Sequence, residues 1–430
     1  MSQSSDGQTK GHTLLTDERE LWKEVWDVMD TTPVLDMHTH LFAPQFEALN
    51  LWGIDELLTY HYLIAELFRS HTHITPEQFW KLPKPAQADL VWETLFVRET
   101  PLSEATRGVV AVLTSLGLDA RARDLSEARQ FFRAQKPSDY LDRVLELAGV
   151  SAVVMTNDPF DEKEREVWQN AGEIDRRFHA ALRIDPLLID WPSTAPKIAA
   201  QGFAAHAELS SGSVTAARSF LDQWIGRMGP LYLAVSLPDD FNFPTDASPL
   251  RAQVLSEVIL PTCREHDLPF AMMIGVRRGV NPRLRVAGDG LGRADVRAVE
   301  RICAAYPEVR FLVTLLSREN QHELCVSARK FSNLMPFGCW WFLNNPSIIA
   351  EVTQERVELL GTSFVAQHSD ARVLDQLIYK WKHSRRVISD VLSDAYGLLL
   401  RTGRAVTRAE IERDARRLFQ DNFSRFVNLQ

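Results

Sequence analysis

His38 and His40 stand one residue apart at the end of the apolar stretch "VLDMHTHLF". In an extended strand, residues i and i+2 project to the same side. Two imidazoles so placed converge at the strand's C-terminal end, where they can ligate one divalent ion. Two hydrogen-bonding surface histidines would give the same spacing. A carboxylate answers them from far along the chain, because Asp370 follows the last apolar run, in "TSFVAQHSDAR". A carboxylate beside paired imidazoles can complete a ligand set or take a proton from bound water.

Those three side chains meet only if the chain is a closed barrel. Short apolar runs recur at 34–35, 151–156, 179–184, 231–236, 269–274, 310–316, 333–338 and 362–368, with amphipathic stretches between them. Alternating strands and helices imply parallel pairing with crossover helices. Eight such strands predict a (β/α)8 TIM-type barrel, in which the last strand lies beside the first. Residues 15–32 predict a helix ahead of the first strand, and residues 1–15 read as disordered. The barrel unit then takes 16–430, with helix in the last 45 residues. About 110 residues separate the first two strands. They predict a helical insertion over roughly 44–148, placed at the barrel mouth.

Composition narrows the function. Of 430 residues, 45% are hydrophobic and 24% charged, with a net charge of −9. An acidic balance argues against nucleic-acid and membrane-surface partners, and leaves room for a small anionic substrate met by local arginines. Cys263, Cys303, Cys325 and Cys339 include no close pair, which predicts buried thiols in a reducing compartment. The polar N-terminus and the lack of a long apolar run predict a cytoplasmic protein. Large barrels with exposed insertions often self-associate, so a homo-oligomer is possible, and the sequence does not fix the oligomeric state.

Motifs in order along the chain carry a family resemblance. The paired histidines and the late aspartate are the signature of the amidohydrolase superfamily. "LDMHTHLF", "TYHYLIAE", "VVMTNDPFD", "LRIDPL", "GCWWF", "HSDAR" and "HSRRV" resemble successive motifs of the uronate isomerase (glucuronate isomerase) family, from about residue 20 to 425. The resemblance implies aldose–ketose isomerisation of a hexuronate, glucuronate to fructuronate or galacturonate to tagaturonate. It implies one divalent ion on His38, His40 and Asp370, zinc first, with manganese, iron or cobalt also suited. His61 and Tyr62 would contact sugar hydroxyls and assist proton transfer. Arg183 and Arg372 would clamp the carboxylate or stabilise the enediolate, and Trp340 and Trp341 would wall the pocket.

Each residue also has a plainer reading. His61 and Tyr62 lie in a helical pattern and could be packing residues. Arg183 could bridge Asp185, and the tryptophans could be core. The chain also departs from the family pattern. Met273 stands where the family has a strand-five histidine, "SLPDDF" replaces an Asp-His pair, and Leu63 replaces a lysine. Asp239 or Asp240 could stand in for the pair, and His368 for the missing imidazole. These changes keep a metal-dependent hydrolase, decarboxylase or lyase on a small carboxylated substrate open as the alternative.

Overall fold

A computed structural model of the chain describes residues 13–70, 73–170 and 172–429. The predicted disorder at 1–15 falls mostly outside these residues. Within them, Leu14–Leu15 form a short strand antiparallel to Val406–Thr407.

Seven strands run parallel and in chain order: β1 (Val34–Thr39), β2 (Val150–Asn157), β3 (Phe178–Arg183), β4 (Leu233–Pro238), β5 (Phe270–Arg277), β6 (Phe311–Leu315) and β7 (Leu334–Pro336). Their near-continuous burial is what parallel strands covered on both faces require. Inside, Leu35, Met37, Ala181, Tyr232, Ala271 and Leu312 fill the barrel floor. Outside, the strands pack on the crossover helices. A two-residue strand, Gly290–Leu291, pairs antiparallel with the end of β5.

The predicted eighth strand at 362–368 is not a regular strand. It is an extended segment that touches β7 through the single bridge Phe337–Val365. Pro336 has no N–H to continue the ladder, and Gly338 turns left-handed at φ 58°. The segment still closes the barrel against β1. Asp370 N–H donates to His38 O at 3.1 Å, and His40 N–H donates to Ala371 O at 2.7 Å.

Gly338 is also a close-approach position. A Cβ there would lie 1.8 Å from Nδ1 of His368, which is fully buried. Gly338→Ala is therefore expected to cost about 3 kcal/mol or more, from the clash and the backbone strain together. Urea unfolding checks it, and a loss below about 1 kcal/mol would refute this account of the turn.

The insertion lies between β1 and β2 and is helical along most of its length, from Ile54–Leu58 to Pro137–Ala148. Helix α1 (Glu18–Thr31) precedes the barrel. Within the insertion, α2 (His61–Arg69), α3 (Glu104–Leu116) and α4 (Pro137–Ala148) face long helix α5 (Gln376–Arg401) or the barrel mouth. All four cysteines are buried and free. Among the described residues no helix is long and apolar enough to cross a membrane.

Candidate active site

The C-terminal ends of the strands open into a cavity. His38 and His40 line it together. The β1–β2 ladder shifts register between Asp36 and Thr39. Such a bulge re-aims side chains: Asp36 reaches outward to Trp381 of α5 while both histidines face the cavity. Asp370 arrives from the closing segment with φ 51°, a left-handed backbone that Asp tolerates better than most residues.

His40 Nε2 lies 3.3 Å, and His38 Nε2 3.8 Å, from Asp370 Oδ1. One ligand atom from each residue lies within 4.8 Å of the others, and they form the one such cluster of three among the described residues.

Hydrogen bonds fix which ring nitrogens carry protons. Thr156 Oγ1 donates to Thr39 O at 2.9 Å, so it must accept from His40 Nδ1, also at 2.9 Å. Tyr232 Oη donates to Met37 O at 2.6 Å and faces His38 Nδ1 at 3.4 Å. Both Nε2 atoms therefore turn lone pairs toward Asp370. Burial pushes the His38 imidazole down to about 3. Burial, then the charge of Arg372, pushes His40 down to about 4. Burial alone would raise the Asp370 carboxyl, but the charges facing it, the buried Lys380 ammonium among them, hold it below the usual carboxylate range. Two lone pairs and an anion with no proton between them repel, and Asp370 Oδ1 is buried without a donor. This donor set fits one divalent cation, with Thr156 and Tyr232 orienting the ligands from behind.

The arginines divide by position. Arg372 extends Nη2 to 3.4 Å from His40 Nε2, and its backbone N–H donates to Gln376 Oε1 at 2.9 Å. Arg183 lines the cavity while its Nε and Nη2 make a bidentate pair with Asp185, at 3.0 and 3.1 Å. The structural bridge and the cavity position thus coexist in one residue. Arg278 is a third guanidinium in the wall. It pairs with Asp289 at 2.5 Å and sits 5.9 Å from the Trp341 ring centroid. Nothing in the sequence singled it out, because the loop after β5 has no periodicity and its arginines read as solvated charge.

Trp340 and Trp341 are both buried and both line the cavity. His61 lines it too, packed edge-on to Trp341 at 5.5 Å with a buried, unpartnered Nε2. Tyr62 does not line it. Its ring lies behind His61 at 4.5 Å, beneath the Lys380 ammonium at 5.9 Å.

Met273 occupies the wall where the family pattern has a histidine. Neither aspartate of "SLPDDF" reaches the cavity: Asp240 faces Arg251 at 3.7 Å, and Asp239 packs against Gly292. His368 lies edge-on to His38, ring centroids 5.4 Å apart, and both its nitrogens lack partners. It backs the cluster from below and is not one of its three members.

Behind the wall, Glu164 accepts from Asn157 Nδ2 at 3.1 Å and Asp158 N–H at 2.9 Å. Burial pushes its carboxyl up to about 7. The folded state then holds a proton that the unfolded chain has released, so this contribution to stability is present below about 4.5 and lost as pH rises through 7. Glu164→Gln keeps the acceptor without the charge. Between pH 5 and 8 the wild type should lose on the order of 2 kcal/mol relative to this variant. Urea midpoints at both pH values test it, and parallel curves would contradict it.

No protein-family model matches the chain, and no curated protein does. Solved structures do. A uronate isomerase from Bacillus halodurans C-125 superposes with a TM-score of 0.94 at 51% identity, over 97% of this chain and 98% of that one. The chain belongs to the uronate isomerase family. Two remoter structures share the fold: a uronate isomerase from Thermotoga maritima (TM-score 0.77, 14% identity, 97% of this chain and 98% of that one), and a glucuronate isomerase from Caulobacter crescentus (0.77, 16%, 98% and 97%). Membership of the uronate isomerase family makes the barrel mouth the place to look for chemistry.

Proposed function

We propose that the protein interconverts the aldose and ketose forms of a hexuronate, with glucuronate and galacturonate as the substrates to test. The observation that carries this reading is the cavity itself. It holds a buried carboxylate against two neutral imidazoles and adds three arginines, in a chain 51% identical to a uronate isomerase.

The reaction is redox-neutral overall. One proton leaves C2 and one is delivered to C1, a second moves from O2 to O1, and an enediol lies between. Asp370 is the group in reach to take the C2 proton and return it to C1. Its low pKa makes it a weak base, so the enediolate must be strongly stabilised for it to work. Arg372, two residues on, supplies positive charge on the same side of the cavity. Arg183 and Arg278, each held by its own aspartate, present forks suited to a carboxylate. Neutral His61 can exchange a hydrogen bond with a sugar hydroxyl, and Tyr62 supports its ring from behind. Trp340 and Trp341 exclude water. A divalent ion held by His38, His40 and Asp370 would polarise the sugar oxygens, and zinc, manganese, iron or cobalt suits that donor set.

The test is incubation with glucuronate or galacturonate in D2O, with zinc or manganese added, followed by NMR. Ketose and deuterium at C2 of recovered aldose are expected. Neither ketose nor exchange with any uronate would defeat the isomerase reading.

A further inference from the structure

The turn that delivers Asp370 is held at five backbone polar groups. Ser369 N–H donates to Asp36 Oδ1 at 3.1 Å. Ser369 O accepts from Lys380 Nζ at 2.6 Å. Asp370 N–H reaches His38 O, and Ala371 O takes the His40 N–H. Ala371 N–H donates back to Ser369 Oγ at 3.1 Å.

Two of these partners are charged side chains that the mechanism does not use. Asp36 is 0% and Lys380 1% exposed. Asp36 lies on β1, ahead of the paired histidines. Its second oxygen accepts from Trp381 Nε1 at 2.8 Å, so it also ties β1 to α5 beside Lys380. A buried ammonium is costly, and an apolar side chain of that length would pack there without the desolvation penalty. The ammonium instead spends a short hydrogen bond on the carbonyl directly before Asp370.

We propose that Asp36 and Lys380 are a buried positioning pair, gripping Ser369 from both sides to set the Asp370 carboxylate against His38 and His40. This inference rests on those three residues being the metal ligands. Neither residue of the pair touches the reacting atoms.

Lys380→Met separates positioning from simple charge. Coulomb attraction alone predicts that losing a cation beside the site tightens metal binding. Loss of positioning predicts the reverse, by about tenfold or more, as for other residues that orient metal ligands.

The full-length protein is stripped of metal and titrated with Co2+ against a competing chelator, with the visible absorption band recorded. Lys380→Met is expected to bind Co2+ at least about tenfold more weakly than wild type, with a shifted band. Binding as tight as wild type or tighter, with an unchanged band, overturns the proposal. If Lys380→Met does not fold, isosteric Asp36→Asn carries the test through its band, which a remote charge change alone leaves in place. A shifted band supports the pair, and an unchanged one overturns it. No Co2+ uptake by wild type would instead overturn the ligand assignment, and this inference with it.

Discussion

Asp370→Asn is expected to lower kcat for uronate isomerisation about 10,000-fold, a loss of about 5.5 kcal/mol of transition-state stabilisation. The substitution preserves side-chain volume. Asn, like Asp, tolerates the left-handed backbone that residue 370 adopts at φ 51°. The change is therefore chemical: an anion that can accept a proton becomes a neutral amide that cannot. Lys380 and Arg372 lose a counter-charge, so a drop in melting temperature of a few degrees is expected and no more. Metal uptake should weaken as well, because an amide oxygen is a poorer ligand than a carboxylate. Assays across a range of added Zn2+ separate that loss from the loss of the base. A variant keeping a tenth or more of wild-type kcat at saturating metal would show that another group moves the C2 proton.

How far the site could be read in advance follows from which interactions are local. The i, i+2 spacing of His38 and His40 is a property of one strand. Once the runs of apolar residues fix a barrel, Asp370 is bound to come near them. The details depend on contacts that spacing does not encode. A bulge in β1 re-aims Asp36, and Thr156 on β2 and Tyr232 just ahead of β4 choose the histidine tautomers. Pro336 and Gly338 interrupt pairing, so residues 362–368 are apolar like a strand yet make one bridge. His61 and Tyr62 are neighbours on α2, and successive helical residues point about 100° apart. Only one of the two could face the cavity, and motif order could not say which. Arg278 lay in a loop with no pattern to mark it. Asp239 and Asp240 had the right chemistry in sequence and face elsewhere in the fold. The hydrolase alternative arose from the altered strand-four and strand-five motifs. The intact carboxylate–imidazole cluster would serve either reaction, and the hydrolase reading loses ground because the chain is 51% identical to a uronate isomerase over 97% of its length.

Arg372 carries the other large expected effect, and its kinetics decide between the two roles the motif leaves open. If it stabilises the enediolate, Arg372→Met should lower kcat/KM about 1,000-fold, mostly through kcat. If it clamps the distant carboxylate, KM should rise with kcat nearly unchanged. Geometry favours the first. Its guanidinium lies 3.4 Å from His40 Nε2, at the end of the cavity that holds the Asp370 carboxylate. Arg183, held in a planar fork by Asp185, and Arg278, paired with Asp289 through one nitrogen, remain for the carboxylate. Arg372→Lys sharpens the test. It keeps the positive charge but loses the planar fork and the reach of Nη2. Charge alone would restore most of the rate, whereas directed hydrogen bonding to the developing oxyanion predicts recovery of less than about tenfold. A KM effect in both variants at unchanged kcat would move Arg372 to the carboxylate and leave enediolate stabilisation to the metal and His61.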